Sequence, residues 1–197
     1  METNLLIFFS FTFGILRVAT PLILASLAGL ISERSGVIQI ALEGMMLIGA
    51  LAGAIGAHFT DSAWIGFFIA GLSGLALALI KSFFVLRFKT DQIVTGTAIN
   101  IFAAGLAPLI TKLIFDSTGQ TPALDISARF AFEPIILAIF AIIAAHFILT
   151  KTRFGLWNLF AGESPESLAV AGVSTEKIRW ISLMSCGFLA GLSGGTG

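Results

Sequence analysis

Two polar side chains interrupt a stretch that is otherwise apolar, ERSGVIQIALEGMMLIGA at residues 33–50. They are Gln39 and Glu43. Polar residues four apart share one face when the chain between them is helical. A carboxylate in hydrocarbon costs about 2.5–3.5 kcal/mol on insertion scales, so something must offset Glu43. The candidates are contact with a polar solute, carriage of a proton, or hydrogen bonds that brace neighbouring elements. If a helix starts at Ser35–Gly36, Glu43 lies about two turns in, roughly 11 Å from its end. A charge there costs less than at the midplane. A second polar cluster is Thr95, Thr97 and Asn100 in TGTAIN, and a third is Ser182 and Ser185 in SLMSCG. None of these is a catalytic set. Paired carboxylates, metal-ligand spacings and a Ser/His/Asp arrangement are all missing, so no catalytic residue and no metal ligand is assigned. Cys186 is the single cysteine, which rules out an internal disulfide, and two His are too few for a His-rich metal site.

The elements that position these residues follow from composition. The chain is 57% hydrophobic and 11% charged, with a mean hydropathy of +1.01. A soluble domain of that character would expose aggregating patches, whereas a bilayer accepts it. Runs of about 20 apolar residues cross a membrane as helices. Six such runs occur, at Leu5–Ile31, Val37–Ala57, Trp64–Leu86, Ile93–Phe115, Pro134–Leu149 and Ile178 to the last residue. The predicted fold is therefore all-α, a polytopic transmembrane helix bundle of about six spans in one domain over 1–197. METNLLIFF lacks a basic leader region, so the first run reads as a retained span. It carries Arg17 and Pro21, which predicts either a kink at Pro21 or an interfacial segment before a shorter span. Small residues at Gly49 and Gly53, and at Gly71 and Gly74, predict close helix contacts. The net charge of zero points to no nucleic-acid partner.

Basic residues set the expected orientation. Arg34, Lys81, Arg87, Lys89, Lys151, Arg153, Lys177 and Arg179 fall in alternate connections, and the positive-inside rule places these in the cytoplasm. Of the remaining basic residues, Arg129 faces out, Lys112 lies near the outer end of the fourth run and Arg17 sits within the first. The expected N-terminus is outside.

Residues 150–179 make a long cytoplasmic loop. Ser164 is a candidate N-cap, Pro165 fits a first helical turn and Gly172 fits a stop. They predict a short helix near 165–171. A helix this short is marginal alone and needs a partner surface.

Three blocks now carry a resemblance: ERSGVIQIALEGMMLIGA, TGTAINIFAAGLAP, and FGLWNLFAGESPESLAVAGVSTEKIRWISLMSCGFLAGLSGG. They resemble the permease subunits of bacterial ABC importers. The nearest branch takes up nucleosides and simple sugars, alongside the ribose-type and branched-chain amino acid permeases. The family's loop form is close to G-E-N-P-x-A-A-x-x-A-G-I. Gly162, Glu163, Pro165, Ala169, Ala171, Gly172 and Val173 occupy that register, with Ser164 where Asn is usual. The family's N-I-G-L-E-G corresponds to Gln39, Ile40, Ala41, Leu42, Glu43 and Gly44.

The resemblance implies two permease subunits in the membrane, identical or not, with two cytoplasmic ATPase subunits and an external substrate-binding protein. It implies residence in the bacterial plasma (inner) membrane. ATP would bind the ATPase partner, and this chain would hold no cofactor; G-x-x-x-x-G-K-[ST] does not occur in it. Gly162, Glu163, Pro165, Ala169, Ala171 and Gly172 would couple to the ATPase. Gln39, Glu43, Thr95, Thr97 and Asn100 are expected to face the translocation path. Family members continue for several spans past the region matched here, which predicts a chain truncated at its C-terminal side. The implied function is inward movement of a nucleoside or related small polar solute. The alternative is an ion-coupled secondary transporter or channel using Glu43, although no acid–His–acid relay accompanies that residue. A membrane enzyme is a third possibility, with no site chemistry in its favour.

Overall fold

The computed structural model describes residues 2–116 and 133–196. Within them the chain forms helices joined by short connections: α1 (Glu2–Arg34), α2 (Leu42–Thr60), α3 (Ala63–Ser82), α4 (Gln92–Phe115), α5 (Glu133–Lys151), α6 (Arg153–Glu163), α7 (Pro165–Val170) and α8 (Thr175–Gly195). A π-helical turn, Phe83–Arg87, extends α3. The expected outer connection bearing Arg129 lies outside the described residues.

Among the described residues, four helical stretches are long and apolar enough to cross a membrane singly: Gly14–Arg34, Leu42–Thr60, Ala63–Arg87 and Gln92–Phe115. Ile135–Lys151 and Arg153–Glu163 qualify together as a pair bent by 72°. The sixth apolar run is α8, which falls outside that set; it opens on Thr175, Glu176 and Lys177 and is rich in Ser and Gly. α1 stays helical through Pro21, and Ser193 Oγ donates to the Pro21 carbonyl at 2.6 Å.

α8 occupies the middle, packed against α1, α2 and α3. Glycine makes that packing possible. A Cβ on Gly194 would lie 2.0 Å from Met46 O, and one on Gly74 would lie 2.3 Å from Gly187 O. Backbone therefore rests on backbone, and no side chain fits between. Around this seam Ala28, Met45, Leu77, Ile99, Cys186 and Ala190 form the main buried cluster. Large apolar side chains on the outer faces of α4 and α5, such as Ile101, Leu113, Ile136 and Phe140, are exposed. In hydrocarbon that surface is solvated by lipid or covered by another span.

One boundary differs from expectation. The second apolar run predicts helix from Val37, whereas α2 starts at Leu42. Gly36, at φ +81°, ends α1 with its N–H on Glu33 O (3.0 Å) and Val37 N–H on Ser32 O (3.4 Å). This paired bonding is a Schellman stop, which the positive φ of glycine permits. The chain then runs non-helical through Val37, Ile38, Gln39 and Ile40.

Candidate functional site

Non-helical backbone in an apolar setting needs partners for every N–H and C=O. Here the partners are side chains from other elements. Ile38 N–H donates to Gln92 Oε1 at 2.7 Å. Ile38 O accepts from Lys81 Nζ at 2.9 Å. Ser32 Oγ donates to Val37 O at 2.9 Å. Asn100 bridges the end of the segment: its Nδ2 donates to Ile40 O at 2.9 Å, and its Oδ1 accepts from Gly44 N–H at 2.8 Å. An amide suits that place because it donates and accepts at once. Ala41, the N-cap position of α2, has no capping side chain, so Asn100 on α4 supplies the cap from across the bundle. Close approach requires Gly44 there, since a Cβ on it would lie 2.8 Å from Asn100 Oδ1.

Gln39 is buried. Its Oε1 accepts from Lys81 Nζ, and its Nε2 reaches Cys186 Sγ at 3.1 Å and Met45 Sδ at 3.3 Å. Glu43 behaves differently. It lies in the first turn of α2 and is exposed. Gln39 and Glu43 therefore do not share a helical face, because Gln39 precedes the helix. Glu43 also needs no buried counter-charge: a first-turn carboxylate is favoured by the free N–H groups and the helix dipole. Thr95 and Thr97 serve their own helix. Thr95 Oγ1 donates to Asp91 O (2.8 Å), and Thr97 Oγ1 donates to Ile93 O (3.0 Å). The structure thus brings Gln39 and Asn100 together around the segment. It leaves Glu43 and Thr97 on exposed positions and Thr95 half-buried.

Two residues central to this arrangement escaped sequence reasoning. Lys81 was counted among the cytoplasmic cations, yet its side chain is fully buried in the last turn of α3. Asn158, in the apolar run WNLF, is fully buried as well. Its Nδ2 donates to Ile31 O at 3.0 Å, and its Oδ1 accepts from Ser182 Oγ at 2.7 Å. The available signal was a polar residue inside an apolar run, Asn158 alone in WNLF and Lys81 with Ser82 in LIKSFF.

The loop region abuts the start of the segment. Thr152 caps α6, accepting from Gly155 N–H at 3.3 Å. At the far end of α6, Gly162 packs on the α1–α2 turn, where a Cβ would lie 2.5 Å from Arg34 O. Arg179 on α8 spans the junction, its Nε donating to Ser35 O (3.1 Å) and its Nη2 to Ala161 O (2.9 Å). α7 is anchored by Leu168, which is buried with Ala161 and Ile178. Ser164 precedes α7 without a side-chain cap bond. Gly172, at φ +76°, ends it with a second Schellman stop: Gly172 N–H to Ala169 O (3.0 Å) and Val173 N–H to Leu168 O (3.1 Å). Glu163, Pro165, Ala169, Ala171 and Gly172 are exposed, and Gly162 is half-buried.

The sequence profile of a family described as "Branched-chain amino acid transport system / permease component" matches residues 11–196. The chain belongs to that permease family. The permease is 34% identical over 201 residues to a guanosine ABC transporter permease protein of Bacillus subtilis, covering 90% of this chain and 63% of that protein. It is 31% identical over 205 residues to a putative glucose ABC transporter permease protein of Haloferax volcanii, covering 94% and 62%. It is 29% identical over 200 residues to a nucleoside ABC transporter permease protein of Lactococcus lactis, covering 89% and 63%. The permease thus spans under two thirds of the length of each of these relatives. No solved structure matches it. Membership and the apolar helices together make it a multi-pass integral protein of the plasma membrane. Membership does not favour the ion-coupled alternative built on Glu43.

Proposed function

We propose that this permease is a membrane-spanning subunit of an ATP-driven importer that moves a nucleoside or related small polar solute inward. Similarity to guanosine, nucleoside and glucose permeases over about nine tenths of the chain carries the reading. In it, α5 with α6 and α8 complete six crossings, and the N-terminus lies outside, a reading supported by the distribution of basic residues. The α6–α7 loop then lies in the cytoplasm, where α7 docks on an ATPase subunit that binds and hydrolyses ATP. Its exposed small residues give a surface that a groove can cover closely, while Leu168 holds its inner side to the bundle. A second permease subunit, the same or different, and an external substrate-binding protein complete the assembly. Gln39 and Asn100 then shape the polar path from behind, by fixing the backbone of 37–41. Glu43, Thr95 and Thr97 belong to its more open faces.

The test replaces Gly162–Gly172 with a flexible Gly/Ser linker in the full-length protein. ATP hydrolysis is expected to continue without uptake of labelled nucleoside. Uptake at the full rate would overturn the docking role.

A further inference from the structure

We propose that residues 35–41 are the transmission segment of this permease, carrying movement of the docking loop to the spans, with Arg179 as its input link and Lys81 as its latch. The proposal rests on the docking reading above and names how that docking is transmitted.

At its start, the segment cannot move independently of the loop. A Cβ on Gly36 would lie 3.0 Å from Gly162 Cα, so the α1–α2 turn and the end of α6 meet as bare backbone. The Arg179 guanidinium then ties Ser35 O to Ala161 O across that contact. A planar group with several fixed donors holds two carbonyls at a set separation, which a flexible ammonium does less well. Displacing α6 and α7 therefore pulls on Ser35.

The middle of the segment is built to exchange partners. It has no helical or sheet ladder, and its polar atoms are held by single side-chain bonds. The strongest of these come from Lys81. Its ammonium is fully buried, and both acceptors, Ile38 O and Gln39 Oε1, are uncharged. A buried ammonium cannot be left without acceptors, so these contacts part only when water or another oxygen takes the place of Ile38 O and Gln39 Oε1, which makes Lys81 a latch with two positions. The end of the segment passes to α2 through Asn100, which holds Ile40 O and Gly44 N–H together.

Cys186 gives a reporter. It is fully buried and lies 3.1 Å from Gln39 Nε2. When the segment parts from Lys81, Gln39 leaves the thiol. The experiment uses the full-length permease assembled with its ATPase and partner permease in vesicles, with every other cysteine replaced, and follows maleimide labelling of Cys186. The labelling rate is expected to differ by about tenfold or more between the nucleotide-free and ATP-trapped states. Arg179→Ala is expected to abolish that difference and to raise the ATP hydrolysed per solute moved by about tenfold, since two charge-assisted bonds are lost. Arg179→Lys should restore part of both. A labelling rate independent of nucleotide, in a wild type that transports, overturns the proposal and leaves docking intact. So does a state-dependent rate that survives in Arg179→Ala. The wild-type measurement stands even if that variant fails to assemble. Uptake without ATP hydrolysis in the wild type would remove the docking reading and this one with it.

Discussion

The α2–α3–α8 seam and the 35–41 segment lie in the same bundle, yet they are held in opposite ways. In the seam, glycines at 49, 74, 187, 191 and 194 let backbone touch backbone, and a Cβ at any of them would stand 2.0–2.5 Å from a neighbouring atom. Such contacts have one good geometry and fail steeply when shifted. In the segment, backbone polar atoms are reached by side chains from other elements: Lys81, Gln92 and Asn100. Those bonds are individually modest and replaceable. The seam is a fixed axis and the segment is an adjustable joint. Stability is concentrated in one and response in the other.

Breaking the seam should have the largest effect. Gly194→Leu drives a side chain into Met46 O and the Ala50 backbone. Overpacking against a rigid backbone is expected to cost about 3 kcal/mol or more, read as loss of monodisperse protein after detergent extraction. Next comes Asn158→Leu, which removes the donor to Ile31 O in a buried place and leaves the Ser182 hydroxyl with Ile178 O alone. A loss of about 2–4 kcal/mol is expected, seen as a lower thermal midpoint of the purified assembly. Asn100→Asp tests the joint more finely. The carboxylate still accepts from Gly44 N–H but faces Ile40 O with no donor. About 1–3 kcal/mol should be lost, with faster hydrogen exchange confined to the first turn of α2. Glu43→Gln should do least to stability, because the residue is exposed and the amide still accepts hydrogen bonds at a helix start. A collapse of folded yield in that variant would mean the joint is held by charge as well as by hydrogen bonds.

Much of the bundle was legible in the sequence, because apolar runs of span length leave few alternatives. Of the glycines whose spacing predicted close contacts, 49 and 74 lie in the seam, while 53 and 71 meet the side chains of Ala70 and Phe188. The joint was hidden for a physical reason. Val37, Ile38 and Ile40 are as apolar as the helix they precede, so hydropathy carries the span backward through them. Only Gly36 marked the break, and a glycine before a helix reads equally as its start. The burial of Lys81 was hidden because charge counting assigns a lysine by the connection it borders, whereas this one ends α3 and folds back onto the carbonyl of Ile38. Asn158 showed nothing until Ile31 and Ser182 were beside it, at 127 and 24 residues' remove.

The borrowed hydrogen bonds of the joint also impose an order of events on synthesis. Ile38 O waits for Lys81, 43 residues later; Ile38 N–H waits for Gln92, 54 later; Ile40 O waits for Asn100, 60 later. Ser35 O is met by Arg179 only after 144 residues. Until each partner emerges, those groups depend on water for their hydrogen bonds. The connection between α1 and α2 is therefore expected to take its final form later than the two helices it joins. It gains its partners from α3 and α4 first, and the last of them only when α8 is made.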